Sequence, residues 1–167
     1  VTAAGASKLI LLDNCEFRLY QVEKDVAQIN KSNANASSVD IVLGSVLDQD
    51  LLQDLMRINN VDVVFHAAAY KHVPIVEVNP KAGLFNNFVG TYCVGKAAGA
   101  CGVSKVVLIS TDKAVRPSGV MGLTKRLAEL ALLSLSRKFP QTCFSIVRFG
   151  NVLGSSGSVI PLFQKQI

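Results

Sequence analysis

Lys105-Val106-Val107-Leu108-Ile109-Ser110-Thr111-Asp112-Lys113 decides how this chain is read. Val106 to Ile109 is an unbroken apolar run rich in β-branched residues, the pattern of a strand buried on both faces. Polar residues follow at once, so Ser110 to Lys113 fall at the strand's carboxyl end. In open parallel α/β sheets that edge is where ligands bind. An acid and an amine side by side there, Asp112 and Lys113, are placed to exchange protons with a bound substrate. Taken alone, the same residues read equally as a strand-to-loop turn with a solvated salt bridge.

Outward from this strand, the chain alternates. Lys8 to Leu12 is a strand closed by Asp13, Asp40 to Gly44 a second, Val61 to Phe65 a third that ends in His66-Ala67-Ala68-Ala69, and Phe144 to Phe149 a fifth. Between them, Asn14 can cap a helix with Phe17, Tyr20, Val26 and Ile29 as its apolar stripe. Asp48 to Asn59 reads as a helix with Leu51, Leu52, Leu55 and Ile58 on one side. Tyr70 to Asn79 reads as a loop holding Lys71, His72 and Pro74, and Pro80 opens a helix that runs to about Ala100. A further helix spans about Val120 to Phe139, with Leu123, Leu127, Leu130 and Ser134 along one face, and Pro140 stops it. Gly150 to Ser158 is a Gly/Ser/Asn loop, after which Val159 starts another helix. Five strands alternating with helices predict one α/β domain, a doubly wound parallel sheet.

Composition agrees. Half of the 167 residues are hydrophobic and 17% are charged, which suits a parallel sheet covered by helices. The net charge of +5 is modest and scattered, with no basic block interleaved with aromatics, so no nucleic-acid partner is expected. A weak positive field suits an anionic small substrate. Cys15, Cys93, Cys101 and Cys143 form no C-x-x-C pair and lie in or beside apolar segments, the pattern of buried reduced thiols. The two histidines, His66 and His72, make no metal-ligand pattern, and no metal is expected. No apolar run approaches the ~20 residues that span a bilayer, and no signal peptide is visible. The expectation is a soluble, cytoplasmic fragment without membrane contact of its own, which leaves open a membrane anchor in the full-length protein.

Three features converge on strand ends. Asp13 closes its strand where the acceptor for a ribose 2′-hydroxyl sits in a dinucleotide fold, although an acid there also suits the start of a helix. Ala67, Ala68 and Ala69 let backbone come close to a flat ligand, or serve close helix–strand packing. Met121 and Lys125 are one helical turn apart and share a face. Gly5 lies among small residues but is no phosphate loop, because the next strand begins at Lys8 and Asp13 follows only eight positions on.

The stretches LILLDNCEF, DVVFHAAAYKHVP, NNFVGT, VVLISTDKAVRPSGVMGLTKRLAE and VRFGNVLGSSGSVIPLF carry a resemblance. The chain resembles the extended short-chain dehydrogenase/reductase superfamily. Within it, it looks like the polysaccharide-biosynthesis nucleotide-sugar 4,6-dehydratases. Where the family carries Tyr-x-x-x-Lys, this chain has Met121 and Lys125, a form shared by the large membrane-anchored members of that branch. A thioether has no proton to exchange, so Met121 cannot be the base for a sugar hydroxyl. Ser45, with Val46 beside it, stands where relatives usually have an Asp touching adenine.

The resemblance implies a Rossmann-like sheet that is incomplete in these residues. The family's first strand, central between the strands ending at Asp13 and Phe65, its glycine-rich pyrophosphate loop and its C-terminal substrate elements are all missing. A piece of this kind is expected to lack full activity. For the intact enzyme the resemblance implies NAD as cofactor and a UDP-N-acetylhexosamine as substrate, above all UDP-N-acetylglucosamine. The chemistry is oxidation at C4, loss of water across C5 and C6, and return of hydride to C6. It further implies a homo-oligomer. Lys113 is the candidate base at C5, Asp112 the acid for the C6 hydroxyl, and Thr111 the hydrogen-bond partner of the 4-oxygen. Lys125 would hold the nicotinamide ribose. Asp13, Asn14, Ser45, Val46, Ala67, Ala68, Ala69 and Asn87 would line the cofactor, and Lys71, His72, Asn151, Ser155 and Val159 the UDP-sugar. Lys113 can act as a base only if its pKa falls well below the free value of ~10.4. A nucleotide-sugar 4-epimerase and a non-catalytic nucleotide-binding module are the alternatives.

Overall fold

A computed structural model describes residues 5–31 and 36–150. Strands β1 (Lys8–Asp13) and β2 (Ser38–Leu43) pair in parallel, in register from Lys8↔Ser38 to Asp13↔Leu43. Strands β3 (Val63–His66), β4 (Lys105–Thr111) and β5 (Cys143–Phe149) form a second parallel sheet in the order β3-β4-β5. All five expected strands are present, and β4 is central in its sheet. Among the described residues β1 and β3 exchange no ladder bond, so the sheet is broken between the two strands where the resemblance inserts another.

Helix α1 (Glu16–Lys31) crosses from β1 to β2, and α2 (Gln49–Ile58) leads to β3. Asp48 caps α2 by accepting the Leu51 N–H at 3.0 Å. The segment expected as a loop before Pro80 contains a short helix, α3 (Val73–Val78), with Pro74 in its first turn. That proline marked a helix start rather than a break. The long helix from Pro80 is interrupted: α4 (Pro80–Leu84) passes through a π-helical segment (Phe85–Val89) into α5 (Gly90–Ala100). A one-residue widening of this kind leaves no trace in hydrophobic periodicity. Helix α6 (Val120–Lys138) joins β4 to β5.

Two apolar clusters hold these layers. One gathers Val46, Leu52, Met56, Val94, Ala97, Ala98, Val103 and Val106, and the other Leu108, Ala128, Leu132 and Leu135. The expected stripes need correction. In α1, Leu19 and Val26 are buried, whereas Phe17, Tyr20 and Ile29 are exposed. In α2, Leu52 and Met56 are buried and Ile58 is exposed. In α6 most of the expected face lies outward: Leu123, Leu130 and Ser134 are exposed and Leu127 is half-buried, and the helix buries Met121, Thr124, Lys125, Ala128, Glu129, Leu132 and Leu135 instead. Polar residues reach that inner face because each finds a partner there. All four thiols are free, but Cys143 is exposed at the start of the outer strand β5 and the others are half-buried, short of the burial expected.

Candidate active site

Thr111 is the last ladder residue of β4, opposite Phe149. Beyond it the chain tightens into a 3₁₀ turn (Asp112–Ala114), anchored by the buried Ala114. Thr111 Oγ1 donates to Asp112 Oδ1 at 2.9 Å and accepts the Lys113 N–H at 3.4 Å. Lys113 Nζ reaches the same Asp112 oxygen at 3.3 Å. The hydrogen bond from Thr111 and then that from Lys113 hold the Asp112 carboxyl below its usual range. Both Asp112 and Lys113 face solvent. Helix α6 presses on this turn directly: a Cβ at Gly122 would come within 2.5 Å of the Lys113 carbonyl oxygen. Glu77 of α3 accepts the Met121 N–H at 3.4 Å, placing a carboxylate at the positive end of α6.

Met121 and Lys125 share the inner face of α6, each about 5% exposed. Lys125 Nζ donates to the Ile109 carbonyl at 2.8 Å. The β3–β4 ladder ends at His66↔Leu108, so Ile109 lies one residue past its last β3 partner. Burial pulls the Lys125 ammonium down to about 8, with Glu129 opposing the shift. His66 is buried as well; desolvation first and the Lys125 charge second drive it down to about 3, so it is neutral.

A chain of buried polar groups runs from His66 to the start of α6. Thr91 Oγ1 donates to the Asn87 carbonyl at 2.6 Å, and His66 Nε2 lies 2.9 Å from the same oxygen. The hydroxyl hydrogen is thereby spent, so His66 donates through Nε2. Asn87, fully buried in the π segment, clamps Tyr70: its Oδ1 accepts the Tyr70 N–H at 2.7 Å and its Nδ2 donates to the Tyr70 carbonyl at 3.0 Å. The same Nδ2 donates to Thr124 Oγ1 at 3.0 Å, which donates to the Met121 carbonyl at 2.8 Å. Asn86 Nδ2 also reaches Asn87 Oδ1, at 3.1 Å. Asn87 is therefore no direct cofactor contact. Its amide is fully used in shaping the Ala67–Tyr70 bend.

Around this centre the other expected residues divide. Asp13 Oδ1 accepts the Cys15 N–H at 2.8 Å and Arg18 Nη2 at 3.0 Å, so the helix-start reading of Asp13 is realised. Asn14 Oδ1 also accepts Arg18 Nη2, at 3.4 Å. Ser45 Oγ accepts the Leu47 N–H at 3.1 Å. Val46 is a core residue, packed where a Cβ on Gly90 would meet it at 2.7 Å, and not a surface for a ligand. Ala67 and Ala68 are exposed and Ala69 half-buried, which favours close approach from outside over helix–strand packing. Lys71 and His72 are exposed just before α3. Asn151, Ser155 and Val159 lie outside the described residues. An open groove lined by Val78, Pro80, Lys81 and Phe85 contains none of the expected site residues.

The sequence reading missed the group most deeply placed beneath the turn. Glu129 is fully buried; its Oε1 accepts Ser110 Oγ at 2.7 Å and Arg148 Nε at 2.9 Å, and its Oε2 accepts Arg148 Nη2 at 2.8 Å and Arg126 Nη1 at 3.0 Å. Burial raises its pKa, but the bonds from Arg148, Ser110 and Arg126 prevail and hold it at about 2. The available signal was its place one helical turn beyond Lys125 on the same face.

Parallel strands with intervening helices, and a hydroxyl–acid–amine turn at a strand's carboxyl end beside a buried helix lysine, define a Rossmann-like α/β protein of the extended short-chain dehydrogenase/reductase type. The chain belongs to the polysaccharide biosynthesis protein family, whose model matches residues 1–167. It is 45% identical to the capsular polysaccharide biosynthesis protein CapD of Staphylococcus aureus, over all of this chain and 27% of that one. It is 38% identical to a UDP-glucose 4-epimerase of Rickettsia bellii, over 95% of this chain and 46% of the relative. It is 36% identical to a UDP-N-acetylglucosamine 4,6-dehydratase (inverting) of Campylobacter jejuni, over 96% and 46%. Among solved structures, Pen from Bacillus thuringiensis matches with a TM-score of 0.84 and 35% identity, over 96% of this chain and 47% of that one. The chain thus spans about a quarter to a half of the length of these relatives. Among the described residues no helix is long and apolar enough to cross a membrane.

Proposed function

We propose that the complete protein to which this chain belongs is an NAD-dependent nucleotide-sugar 4,6-dehydratase acting on a UDP-N-acetylhexosamine. The observation that carries the reading is the Thr111–Asp112–Lys113 cluster at the end of β4, with an untitratable Met121 on the adjacent helix face. The similarity to the Campylobacter jejuni dehydratase supports it. The surface also suits the cofactor: exposed Ala67 and Ala68 offer bare backbone beside the strand end, and Asp13 closes β1 with a carboxylate suited to ribose hydroxyls. NAD bound there would supply the hydride acceptor and donor. Lys125 would hold its nicotinamide ribose.

The chain's own work is proton transfer. Asp112 starts ionised, held so by Thr111 and Lys113. It can take the C4-hydroxyl proton, through a water, while Thr111 Oγ1 orients the 4-oxygen. Asp112 is then the acid that gives a proton to the departing C6 hydroxyl, which leaves as water. Lys113 takes the C5 proton that the 4-keto group has made acidic, and it would return a proton to C5 when C6 is reduced. Its amine lies open at the turn and would be covered only once nicotinamide and sugar lie over it.

A second reading, a 4-epimerase, is favoured by the similarity to the Rickettsia bellii enzyme. An epimerase has no use for an acid–base pair at C5 and C6, and the adjacent Asp112 and Lys113 speak against it. The test is incubation of the full-length protein with UDP-N-acetylglucosamine and NAD. A 4-keto-6-deoxy product is expected. The galacto isomer would establish the epimerase, and no conversion with retained nucleotide binding would leave a binding module.

A further inference from the structure

We propose that Glu129 is a positioning residue for the strand-end site, supplying the buried charge opposite Lys125 and, through Ser110 and Arg148, locking β4 to β5 beneath the Thr111–Lys113 turn. The assignment rests on the reading above only in the role given to Lys125.

The geometry has two parts. Ser110 and Arg148 are ladder partners across β4 and β5, and both bind Glu129. Glu129 therefore ties α6 to two neighbouring strands at one point, between Ile109, whose carbonyl receives Lys125, and Thr111, where the turn begins. The second part is charge. Lys125 is buried and donates to the Ile109 carbonyl, and burial of an ammonium favours loss of its proton unless an anion faces it. Glu129, four residues on, is that anion on its own helix. The other groups around the ammonium cannot take this part. His66 of β3 is neutral, and Asp112 of the turn is engaged with Lys113 at the surface. Glu77 of α3 sits at the helix start, and Arg126 and Arg148 add positive charge behind Glu129. A Lys125 held protonated can donate to a ribose while bonded to Ile109; a neutral one gives up its charge beside the turn.

The test is direct titration of Lys125 in the full chain labelled with 13Cε-lysine, its signal assigned by Lys125→Arg. It needs neither nucleotide nor sugar, so its outcome and that of the product assay are independent. Glu129→Gln should lower the Lys125 midpoint by about one unit. Arg126→Gln, at a half-exposed site that the fold should tolerate, should raise it by a few tenths, because Glu129 is then less neutralised. Ser110→Ala removes one hydrogen bond but no charge and should leave it in place. Opposite shifts from Glu129→Gln and Arg126→Gln are a signature that loss of packing does not produce. If Glu129→Gln does not fold, the Arg126→Gln shift decides. A Lys125 midpoint unmoved by these charge changes overturns the proposal.

Discussion

At the scale of single residues, the proposed chemistry rests on two side chains. Met121 is buried and carries no titratable proton, so on that proposal the proton transfer falls to Asp112 and Lys113. Removing a positioned acid or base costs ~10²–10⁴-fold in rate. In the complete enzyme, Asp112→Asn and Lys113→Met should each reduce turnover by that order with NAD binding nearly intact. Met121→Leu keeps volume and should cost less than about 1.5 kcal/mol of stability and little activity. Turnover with UDP-N-acetylglucosamine across the three variants decides. Near-parental rates for the first two, with a dead Met121→Leu, would reverse the assignment. These residues were legible because they follow a strand in unbroken sequence. Asn87 was legible as a motif residue but not as a clamp on Tyr70, since a contact across seventeen positions through a π turn has no local signature.

At the scale of elements, strands were easier to read than helix faces. An apolar run advertises a strand, and β4 holds the whole run from Val106 to Ile109, although only the face of Val106 and Leu108 is fully buried and that of Val107 and Ile109 half-buried. Helix α6 misled because hydropathy assumes that leucine goes in and charge goes out. Here Thr124, Lys125 and Glu129 are satisfied inside, while Leu123, Leu130 and Leu133 stand outside. The inner face also needs a gap at Gly122, where the helix rests on the Lys113 backbone. Ala is the better helix former by up to ~1 kcal/mol. Its methyl would nevertheless meet a carbonyl oxygen at 2.5 Å that cannot swing aside as a flexible side chain would. Gly122→Ala should therefore lower unfolding free energy by roughly 1–3 kcal/mol and displace the turn. Urea unfolding checks the sign: a stabilised variant would mean that the turn yields freely.

At the scale of the whole molecule, the buried polar groups set a pH window. His66 has its pKa lowered from 6.5 to about 3, so below pH 6.5 the unfolded chain binds a proton that the native state refuses. Its contribution is complete above pH 6.5 and is lost as pH falls toward 3. Glu129, lowered from 4.5 to about 2, contributes fully above 4.5 and is lost from there down. Between pH 7 and pH 5 only His66 of these two acts. The parent should lose up to about 2 kcal/mol more over that interval than His66→Gln does. Parallel losses in urea unfolding of the two proteins would show that His66 is protonated in the fold.

Among the described residues strands β1 and β3 exchange no ladder bond, so in this stretch taken by itself, without the strand that the resemblance places between them, β1 and β2 meet the rest through side chains. Leu12 packs against the cluster around Val46 and Val106, and Lys8 Nζ reaches Asn59 Oδ1 at 2.8 Å. Such a seam can part without tearing a sheet. Backbone amides of Leu9 to Leu12 should then exchange with deuterium at a lower free-energy cost than those of Val106 to Leu108, as a separate foldon. Asp13 rides on the unit that opens first, and the Ala67–Ala69 bend on the one that stays shut. A nucleotide touching both would staple them, and its arrival would register first as slowed deuterium uptake in β1.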